Sequence, residues 1–348
     1  MNCVRRIGKL PRLHARVSTA LSMRTRYVAF TVVLLLIGAP PLQAQDHITF
    51  SGSSFGDYYY VMDSPAESEE DFNGFTIRRI YLATDFRLSG AFDGRARLEA
   101  SDGSATGAGM QAFAKDLYLR WRGETGHQAR IGIIPTPVFG FTEDVWTFRS
   151  LEKTAMDLYG VASSRDMGVR VDGPLLPDGI LGYHLMFANN SGVRPENDKG
   201  KRGYVQLSSQ PSDALVFTIG GDYAGFTDQR ERHVTAHALG GYRSPAFAFG
   251  IEPFWQRVRF EGNVHSTTSG LSLFAHGTIT GPWQLVGRID RIRLESVLDD
   301  VSHSTFGLVA ISYQAVSNVR LMPNLLIHKL DGEEAATVLA RFTFEFWF

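Results

Sequence analysis

The chain has 348 residues, and its only cysteine, Cys3, excludes an internal disulfide. Its 35 Lys and Arg nearly balance 36 Asp and Glu, and a mean hydropathy of −0.10 is ordinary for a protein surrounded by water. No segment carries 18 consecutive apolar residues, so helices that span a membrane are excluded.

Residues 1–44 have the pattern of a secretory signal peptide. They carry seven Arg or Lys and no acid, and an apolar run over 27–37 precedes Ala44, a small residue before a polar one. An apolar run of about eleven residues is too short to span a bilayer as a helix. We therefore expect cleavage after Ala44.

The remaining chain, 45–348, is predicted to form one domain. Because the leader holds seven of the 35 basic residues and no acid, its removal changes the net charge from −1 to −8. An acidic chain of this kind is a poor partner for nucleic acid. Met23, followed by Arg-Thr-Arg, is a more ordinary start than Met1, so residues 1–22 are a candidate mis-assigned extension.

Sixteen segments of the mature chain have the composition of β-strands, and most of them alternate apolar and polar residues. They lie at 47–61, 74–88, 92–101, 113–122, 127–134, 166–173, 179–189, 201–209, 214–222, 232–243, 246–259, 268–280, 283–295, 303–315, 319–329 and 337–348. Sixteen strands leave roughly 19 residues for each strand and its connection, which suits strands of about ten residues. The sequence therefore predicts an all-β fold, a transmembrane antiparallel β-barrel of about 16 strands.

The connections between these segments alternate in length. Short turns rich in Gly, Pro, Ser, Asn and Asp lie at 89–92, 123–126, 174–178, 210–213, 244–245, 281–282 and 315–318. Longer loops lie at 62–73, 102–112, 135–165, 190–200, 223–231, 260–267, 296–302 and 330–336. With both termini in the periplasm, every short turn falls on the periplasmic side and every long loop outside, as in outer-membrane barrels.

The last strand, 337–348, has one face suited to lipid. Arg341, Thr343 and Glu345 occupy the polar face, and the other face is apolar at every second position. Those apolar positions are Val338, Ala340, Phe342, Phe344, Phe346 and Phe348. The terminal Phe348 resembles the assembly signal of bacterial outer-membrane barrel proteins, which implies recognition by their barrel-assembly machinery.

The early strands carry polar residues at every second position, and we expect these to face the lumen because charge on the lipid face is costly. The inward basic residues are Arg79, Arg87, Arg95, Arg97, Arg120, Arg122, Arg130 and Arg170. The segments 232–243 and 283–295 alternate poorly, so no face is assigned to them. A barrel of sixteen strands is too wide for side chains to fill, which predicts a water-filled channel.

The connection 135–165 is the longest, with 31 residues, and it is too apolar for a solvated tail. We predict that this third external loop folds into the lumen and narrows it. The charged residues that would set the field at the constriction are Arg149, Lys153, Arg165, Glu143, Asp144, Glu152 and Asp157.

Five motifs occur in a fixed order in the N-terminal half of the chain. They are F-T-I-R-R-I-Y-L-A-T-D-F at 75–86, K-D-L-Y-L-R-W at 115–121, R-I-G-I-I-P-T-P-V-F at 130–139, R-S-L-E-K at 149–153 and S-R-D-M-G-V-R-V at 164–171. Together they resemble the N-terminal half of the phosphate-selective porin O and P family. This resemblance implies a sixteen-stranded trimeric porin in which Arg and Lys at the constriction bind phosphate.

The resemblance also implies which residues would form the anion path. By motif position they are Arg149, Lys153, Arg165, Arg79, Arg95, Arg97, Arg120, Arg122 and Arg130. The chain departs from the family in having few lysines and an acid beside most of these arginines. In the alternative interpretation, the arginines pair with Asp85, Glu99, Asp116 and Asp166 and only brace the inner wall.

The sequence thus predicts a porin of the bacterial outer membrane for passive diffusion of small hydrophilic solutes, with a preference for anions or phosphate as the finer hypothesis. The expected partners are these solutes, outer-membrane lipid and lipopolysaccharide, the barrel-assembly machinery and further copies in a homotrimer. No cofactor, metal ion or catalytic residue is predicted.

Two alternatives stay open: a barrel enzyme of lipase or protease type, with a Ser or Asp near a His at the rim, and a non-conducting structural or adhesive surface barrel. The pattern G-x-S-x-G at 52–56 matches a nucleophile elbow, but that elbow needs a helix after the strand and none is predicted here. His233 and His237 on one strand would lie about 13 Å apart, too far to share one zinc ion.

Overall fold

The computed structural model describes residues 47–102, 109–196, 198–225, 231–261, 264–298 and 300–348. The predicted signal peptide, its cleavage after Ala44 and the alternative start at Met23 lie outside these residues and stay predictions. Among the residues described, no helix has the length and apolar character needed to cross a bilayer.

The chain folds into one closed barrel of sixteen strands. The strands are β1 (Ile48–Asp63), β2 (Asn73–Arg87), β3 (Phe92–Ser101), β4 (Gln111–Arg122), β5 (Gln128–Pro135), β6 (Arg165–Pro174), β7 (Leu181–Ala188), β8 (Arg202–Ser212), β9 (Leu215–Ala224), β10 (Arg232–Arg243), β11 (Phe247–Arg259), β12 (His265–Thr280), β13 (Trp283–Glu295), β14 (Val301–Val316), β15 (Val319–Leu330) and β16 (Thr337–Trp347). Successive strands pair antiparallel, and β1 pairs with β16 to close the barrel. The predicted all-β barrel, its strand number and its strand order are confirmed.

The strand bounds differ from the prediction mainly at the long-loop ends of the second half. β12 begins at His265 rather than 268, and β14 begins at Val301 rather than 303. The hairpin continues through polar residues, because His265 and Ser266 still pair with β11. Beyond the apolar part of a strand both faces are polar, so alternation does not separate strand from loop there.

The outer face of the barrel is apolar. Leu82, Ile131 and Phe187 point outward and are 50%, 59% and 64% exposed. In β16 the polar face points inward as predicted, since Arg341 hydrogen-bonds the inward loop and Thr343 hydrogen-bonds the inward-facing Asp57. The sequence alternation therefore gives the barrel an apolar outer band.

The connection between β5 and β6 folds into the lumen, as predicted. It contains two short helices, α1 (Gly140–Trp146) and α2 (Ala155–Leu158). Its residues Val145, Trp146, Phe148 and Leu151 are buried in one apolar cluster with inward residues of the barrel wall. The wall residues of that cluster are Val216, Leu239, Ala248, Phe274, Val286, Phe306, Leu308, Ala310, Met322 and Leu326.

This packing explains why β10 and β13 alternate poorly in sequence. β10 turns Leu239 into the lumen, and β13 turns Val286 and Ile292 inward beside the buried pair Arg288 and Asp290. A wall covered by an apolar loop carries apolar residues on both faces, so the two-residue period of polarity is lost. The apolar residues of the loop thus correspond to apolar residues on the inner face of the strands behind it.

Candidate functional site

The inner faces of β2–β6 form a wall of charged side chains, called here the basic wall. Four of its acids are each shared by two basic side chains. Glu99 pairs with Arg79 and Lys115, Asp116 with Arg97 and Arg165, Asp93 with Arg120 and Arg122, and Asp172 with Arg130 and Arg170. Because one carboxylate offsets only one of its two partners, each group keeps a positive charge.

The pairing that the sequence suggested is present for three acids and differs for the fourth. Besides Glu99 and Asp116, Asp85 also pairs with an arginine, Arg95, at 2.7 Å. Asp166 instead accepts hydrogen bonds from two backbone amides and from the hydroxyl of Tyr204. The arginines therefore do brace the wall, but the bracing leaves an excess of basic groups.

Two β-bulges add basic side chains to this wall that strict alternation does not predict. In the β1–β2 pair the register skips Arg78, so that Arg78 and Arg79 both point inward. In the β3–β4 pair the register skips Lys115, so that Lys115 and Asp116 both point inward. Two adjacent charged residues inside an alternating strand are the sequence signal of such a bulge.

Side chains of the barrel hold the inward loop by its main-chain carbonyl groups. Arg341 donates to the carbonyl oxygen of Leu151 at 2.5 Å, and His276 Nε2 lies 3.1 Å from the carbonyl oxygen of Val145. The other donor and acceptor residues are Arg78 with Ser150 and Leu151, Arg288 with Lys153, and Gln256 with Val161. These bonds satisfy carbonyls that a free loop would leave to water, and they fix the loop at several points.

The lumenal side of the loop carries paired charges. Arg149 lies 3.1 Å from Glu143 and 2.7 Å from Asp157, and Lys153 lies 3.6 Å from Asp157. Burial alone would raise the pKa of Asp157, but Arg149 and Lys153 outweigh it and hold that pKa below the ordinary 3.8. Asp157 is therefore ionised at neutral pH and holds both basic side chains in place.

A cavity of about 380 Å³ lies between the loop and the basic wall. Its charged lining residues are Arg95, Arg97, Lys115, Arg149, Arg165, Glu143 and Glu345. Tyr81 also lines it, with the Arg97 guanidinium 5.2 Å and Lys115 Nζ 5.6 Å from its ring centre. Basic side chains outnumber acids around this space, so a solute there meets a positive field.

The predicted pore residues do not all meet at this cavity. Arg95, Arg97, Arg149 and Arg165 line it together. Six others pair with acids elsewhere on the wall or on the loop: Arg79, Arg120, Arg122, Arg130, Lys153 and Arg170. Arg87 is the last residue of β2, before the short turn to β3.

A Ser–His–Asp arrangement lies on β6, β7 and β8, in another part of the lumen. His184 Nδ1 lies 2.7 Å from Asp172, and its Nε2 lies 3.0 Å from Ser208 Oγ. Ser208 is only 5% exposed, and Phe141 of the loop packs edge-on against His184 at 5.3 Å. A nucleophile must reach its substrate, so we interpret these residues as a structural hydrogen-bond network.

The two other chemical patterns of the sequence form no site. Ser54 of the G-x-S-x-G pattern donates to the carbonyl oxygen of Arg79 at 3.1 Å, and β1 continues past it to Asp63, so the strand-to-helix turn of a nucleophile elbow is not formed there. His233 and His237 lie on β10. Over the described ranges, no three His, Cys, Asp or Glu side chains cluster as metal ligands would.

No protein-family model and no curated protein matches this chain, so its resemblance to the phosphate-selective porin O and P family stays a prediction.

Solved structures do share its fold over 86% of its length. An anion-selective porin from Comamonas acidovorans is 12% identical with a TM-score of 0.64 over 99% of that chain. OmpF of Salmonella typhi, in complex with daunomycin, is 10% identical with a TM-score of 0.65 over 97% of that chain. OmpT of Vibrio cholerae, in a trimer form, is 12% identical with a TM-score of 0.63 over 99% of that chain.

Proposed function

We propose that this chain is a porin of the bacterial outer membrane, through which small hydrophilic solutes diffuse passively without covalent chemistry. The cavity between the loop and the basic wall is the observation that supports this most directly. It is lined by charged side chains, whereas the outer surface of the same barrel is apolar. An apolar outside and a charged inside suit a barrel that stands in lipid and encloses water.

The finer form of the proposal is a preference for anions, with phosphate as the candidate solute. An anion in the cavity meets Arg95, Arg97, Lys115 and Arg165. The acids nearest to three of these bases, Glu99 and Asp116, are each shared between two partners. An anion that carries two charges and several acceptor oxygens gains more from such a cluster than chloride does.

The surroundings of the channel form the last part of the proposal. The exposed apolar face fits outer-membrane lipid and a homotrimer, the state named for the OmpT structure from Vibrio cholerae. Phe348, at the end of the closing strand, is the expected contact of the barrel-assembly machinery. Lipopolysaccharide is the expected neighbour of the long loops.

Single-channel recording of the refolded protein in planar bilayers tests this proposal. We expect open steps, a reversal potential in a KCl gradient that favours chloride, and a current that falls when phosphate is added. Steps that favour potassium would overturn the anion preference and keep the porin. A folded barrel that conducts nothing would overturn the porin and favour the enzyme or the surface barrel.

A further inference from the structure

Outward-facing charge is distributed unevenly around the barrel. On β2–β9, every charged residue inside a strand belongs to the inward set, and the outward positions carry uncharged residues. On β11, β13 and β15 the outward face carries basic residues near the long-loop end. They are Arg257, Arg259, Arg291, Arg293 and Lys329, called here the outer basic band.

The strand register shows that this band faces outward. Arg291 lies on the same face of β13 as Leu285 and Ile289, which are 51% and 52% exposed on the outer surface. Across the sheet, Arg291 pairs with Thr305 and Thr305 pairs with Lys329. These residues therefore form one row, and the side chains of Arg293 and Arg257 lie on the same side of the sheet in neighbouring rows.

The acids near the band do not cancel its charge. Arg291 pairs with Asp331 at 2.9 Å, and Arg293 pairs with Glu295 at 2.7 Å. His303 also lies 3.5 Å from Asp331, and Glu261 follows Arg259 in the next turn. Glu333, whose carbonyl oxygen accepts from Lys329, is a fourth acid beside the band, so five basic side chains face four acids.

Arg257 points most clearly to a missing partner. Its guanidinium lies 5.3 Å from the ring centre of Trp255, also on the outward face. Its Nε atom is enclosed and has no hydrogen-bond partner among the described residues. Arg257 is half-buried and forms no ion pair with a described acid, so its terminal guanidinium nitrogens, rather than the enclosed Nε, are the donors that an anionic group from outside the barrel would meet.

The band lies at the height of the outer membrane surface. Trp283 and Tyr313 mark the periplasmic end, with ring centres 4.5 Å apart. Arg291 is eight residues further along β13, so a strand tilted by about 40° places it roughly 20 Å higher. The apolar band of such barrels is about 25 Å tall, so Arg291 lies just below its upper edge, within reach of the headgroups for a long side chain, and Arg293, two residues further along, lies at their level.

An apolar groove of about 860 Å³ lies on the same strands, directly below the band. Its floor is formed by small residues, Ala275, Gly277 and Gly287, between larger side chains such as Phe249 and Ile289. Ile289 and Arg291 are successive outward residues of β13, so the groove leads up to the basic band. A Cβ added at Gly287 would have only one atom within reach, the carbonyl oxygen of Leu308 at 4.0 Å, so the floor is open.

We propose that the outer basic band and this groove form a single binding site for a phosphorylated glycolipid of the outer leaflet. Phosphate groups on the sugar headgroup would contact Arg257, Arg291 and Arg293, and an acyl chain would fill the groove. Charge complementarity selects this occupant, because the uncharged outward face of β2–β9 on a second copy would offer the arginines no acid. The inference deepens the proposed contact with lipopolysaccharide and depends on the membrane placement, not on conduction.

Native mass spectrometry of the full refolded protein in detergent tests the site, with lipid A as the probe and dephosphorylated lipid A as its matched lipid. We expect the phosphorylated lipid to bind tighter. Since a basic residue near a lipid surface contributes about a five-fold change in affinity, the double variant Arg257→Gln with Arg293→Gln should bind it about twenty-five-fold more weakly. Gly287→Leu should weaken both lipids alike, because it fills the groove.

Controls separate this site from the channel. Lys201→Gln removes a charge from a long loop and should leave lipid binding unchanged. All variants are recorded in planar bilayers as well, where the band variants should conduct like the unmodified protein even if the anion preference proves wrong. Equal binding of both lipids, equal binding by the double variant, or cross-linking of Gly287→Cys to a second copy would each overturn the glycolipid site.

Discussion

At the scale of single residues, the basic wall is built from carboxylates that serve two partners each. Asp116 pairs with Arg97 at 2.6 Å and also with Arg165. If one of these arginines is removed, the buried acid keeps the other as its partner. The effect of the lost charge on the channel can then be measured without unfolding the protein. This sharing makes single charge changes informative at the constriction.

Arg97→Gln should reduce the anion preference of the channel without unfolding it. Asp116 keeps Arg165, and the cavity loses one positive charge. A unit charge at about 4 Å contributes roughly 1 kcal/mol in water, so the ratio of chloride to potassium permeability should fall about two- to five-fold. Reversal potentials in a KCl gradient measure this ratio. Arg97→Lys is the control that keeps the charge, and an unchanged ratio in Arg97→Gln would contradict the role of this residue.

The Ser–His–Asp network makes a second prediction at this scale. If the network is structural, Ser208→Ala should keep the conductance, and a serine-reactive fluorophosphonate should not label the unmodified protein. The buried Ser208 hydroxyl and the covering Phe141 ring are the reasons. Labelling that disappears in Ser208→Ala would instead support the barrel enzyme.

The sequence predicted four of the five basic residues of the cavity and missed Lys115. Arg95, Arg97, Arg149 and Arg165 follow from alternation and from the motifs. Lys115 turns inward only because a bulge shifts the register by one residue, and a two-residue period assigns such a position to the wrong face. A bulge does not change the amino-acid composition of a strand, so the adjacent pair of charged residues is the only sign of it in this sequence.

At the scale of elements, the inward loop depends on its anchors in the barrel. Arg341 is nearly buried, donates to the carbonyl oxygen of Leu151, and lies 3.8 Å from Glu152. Arg341→Met removes one of the two arginines near Leu151 and Glu152 and leaves Arg78, at a cost of about 2 kcal/mol to loop attachment. We expect faster tryptic cleavage after Arg149 and Lys153 and noisier open-channel current.

Lys201→Met is the matched control, because it removes an exposed ion pair with Glu196 on another loop. Surface pairs of this kind contribute little. Cleavage of Arg341→Met at the rate of the control would show that the anchor is dispensable.

The loop attachment should also have a defined dependence on pH. Burial would raise the pKa of Glu152, but Arg341 and Arg78 outweigh it, so this pKa lies below 4.5, as that of Asp157 lies below 3.8. Groups with lowered pKa values stabilise the fold above their ordinary values, and this is lost as the pH falls through the lowered ones. Open-channel current should therefore change below about pH 4, and this acid-induced change should be smaller in Glu152→Gln. The same change in Glu152→Gln as in the unmodified protein would contradict this assignment.

At the scale of the whole molecule, the barrel closes through its last residue. Phe348 exchanges two backbone hydrogen bonds with Gly52, at 2.8 and 3.0 Å. Phe348→Ser keeps these bonds and removes the proposed assembly signal. We expect it to refold in detergent like the unmodified protein but to assemble poorly in bacterial outer membranes, as judged by the heat-shifted band on unboiled gels. Normal assembly of Phe348→Ser in cells would contradict the proposal that Phe348 is the assembly signal.

The barrel itself was predictable, because closure, strand number and connection lengths follow from alternation and turn residues. The faces of β10 and β13 were not, since their inward residues pack against a loop rather than water. Leu239 and Val286 look like lipid-facing residues until the loop beside them is known. A local sequence pattern shows whether the surroundings of a strand face are polar or apolar. It does not show whether apolar surroundings are lipid or another part of the protein.

The way the loop is held has a consequence for engineering this barrel as a nanopore. The barrel side chains that anchor the loop donate hydrogen bonds to its main-chain carbonyl groups, which every amino acid has. The loop side chains that face the cavity can therefore be exchanged without losing these hydrogen bonds. Positions 143 and 149 are the ones to vary, because both line the cavity. One rigid frame could then carry a library of constrictions with different sensing properties.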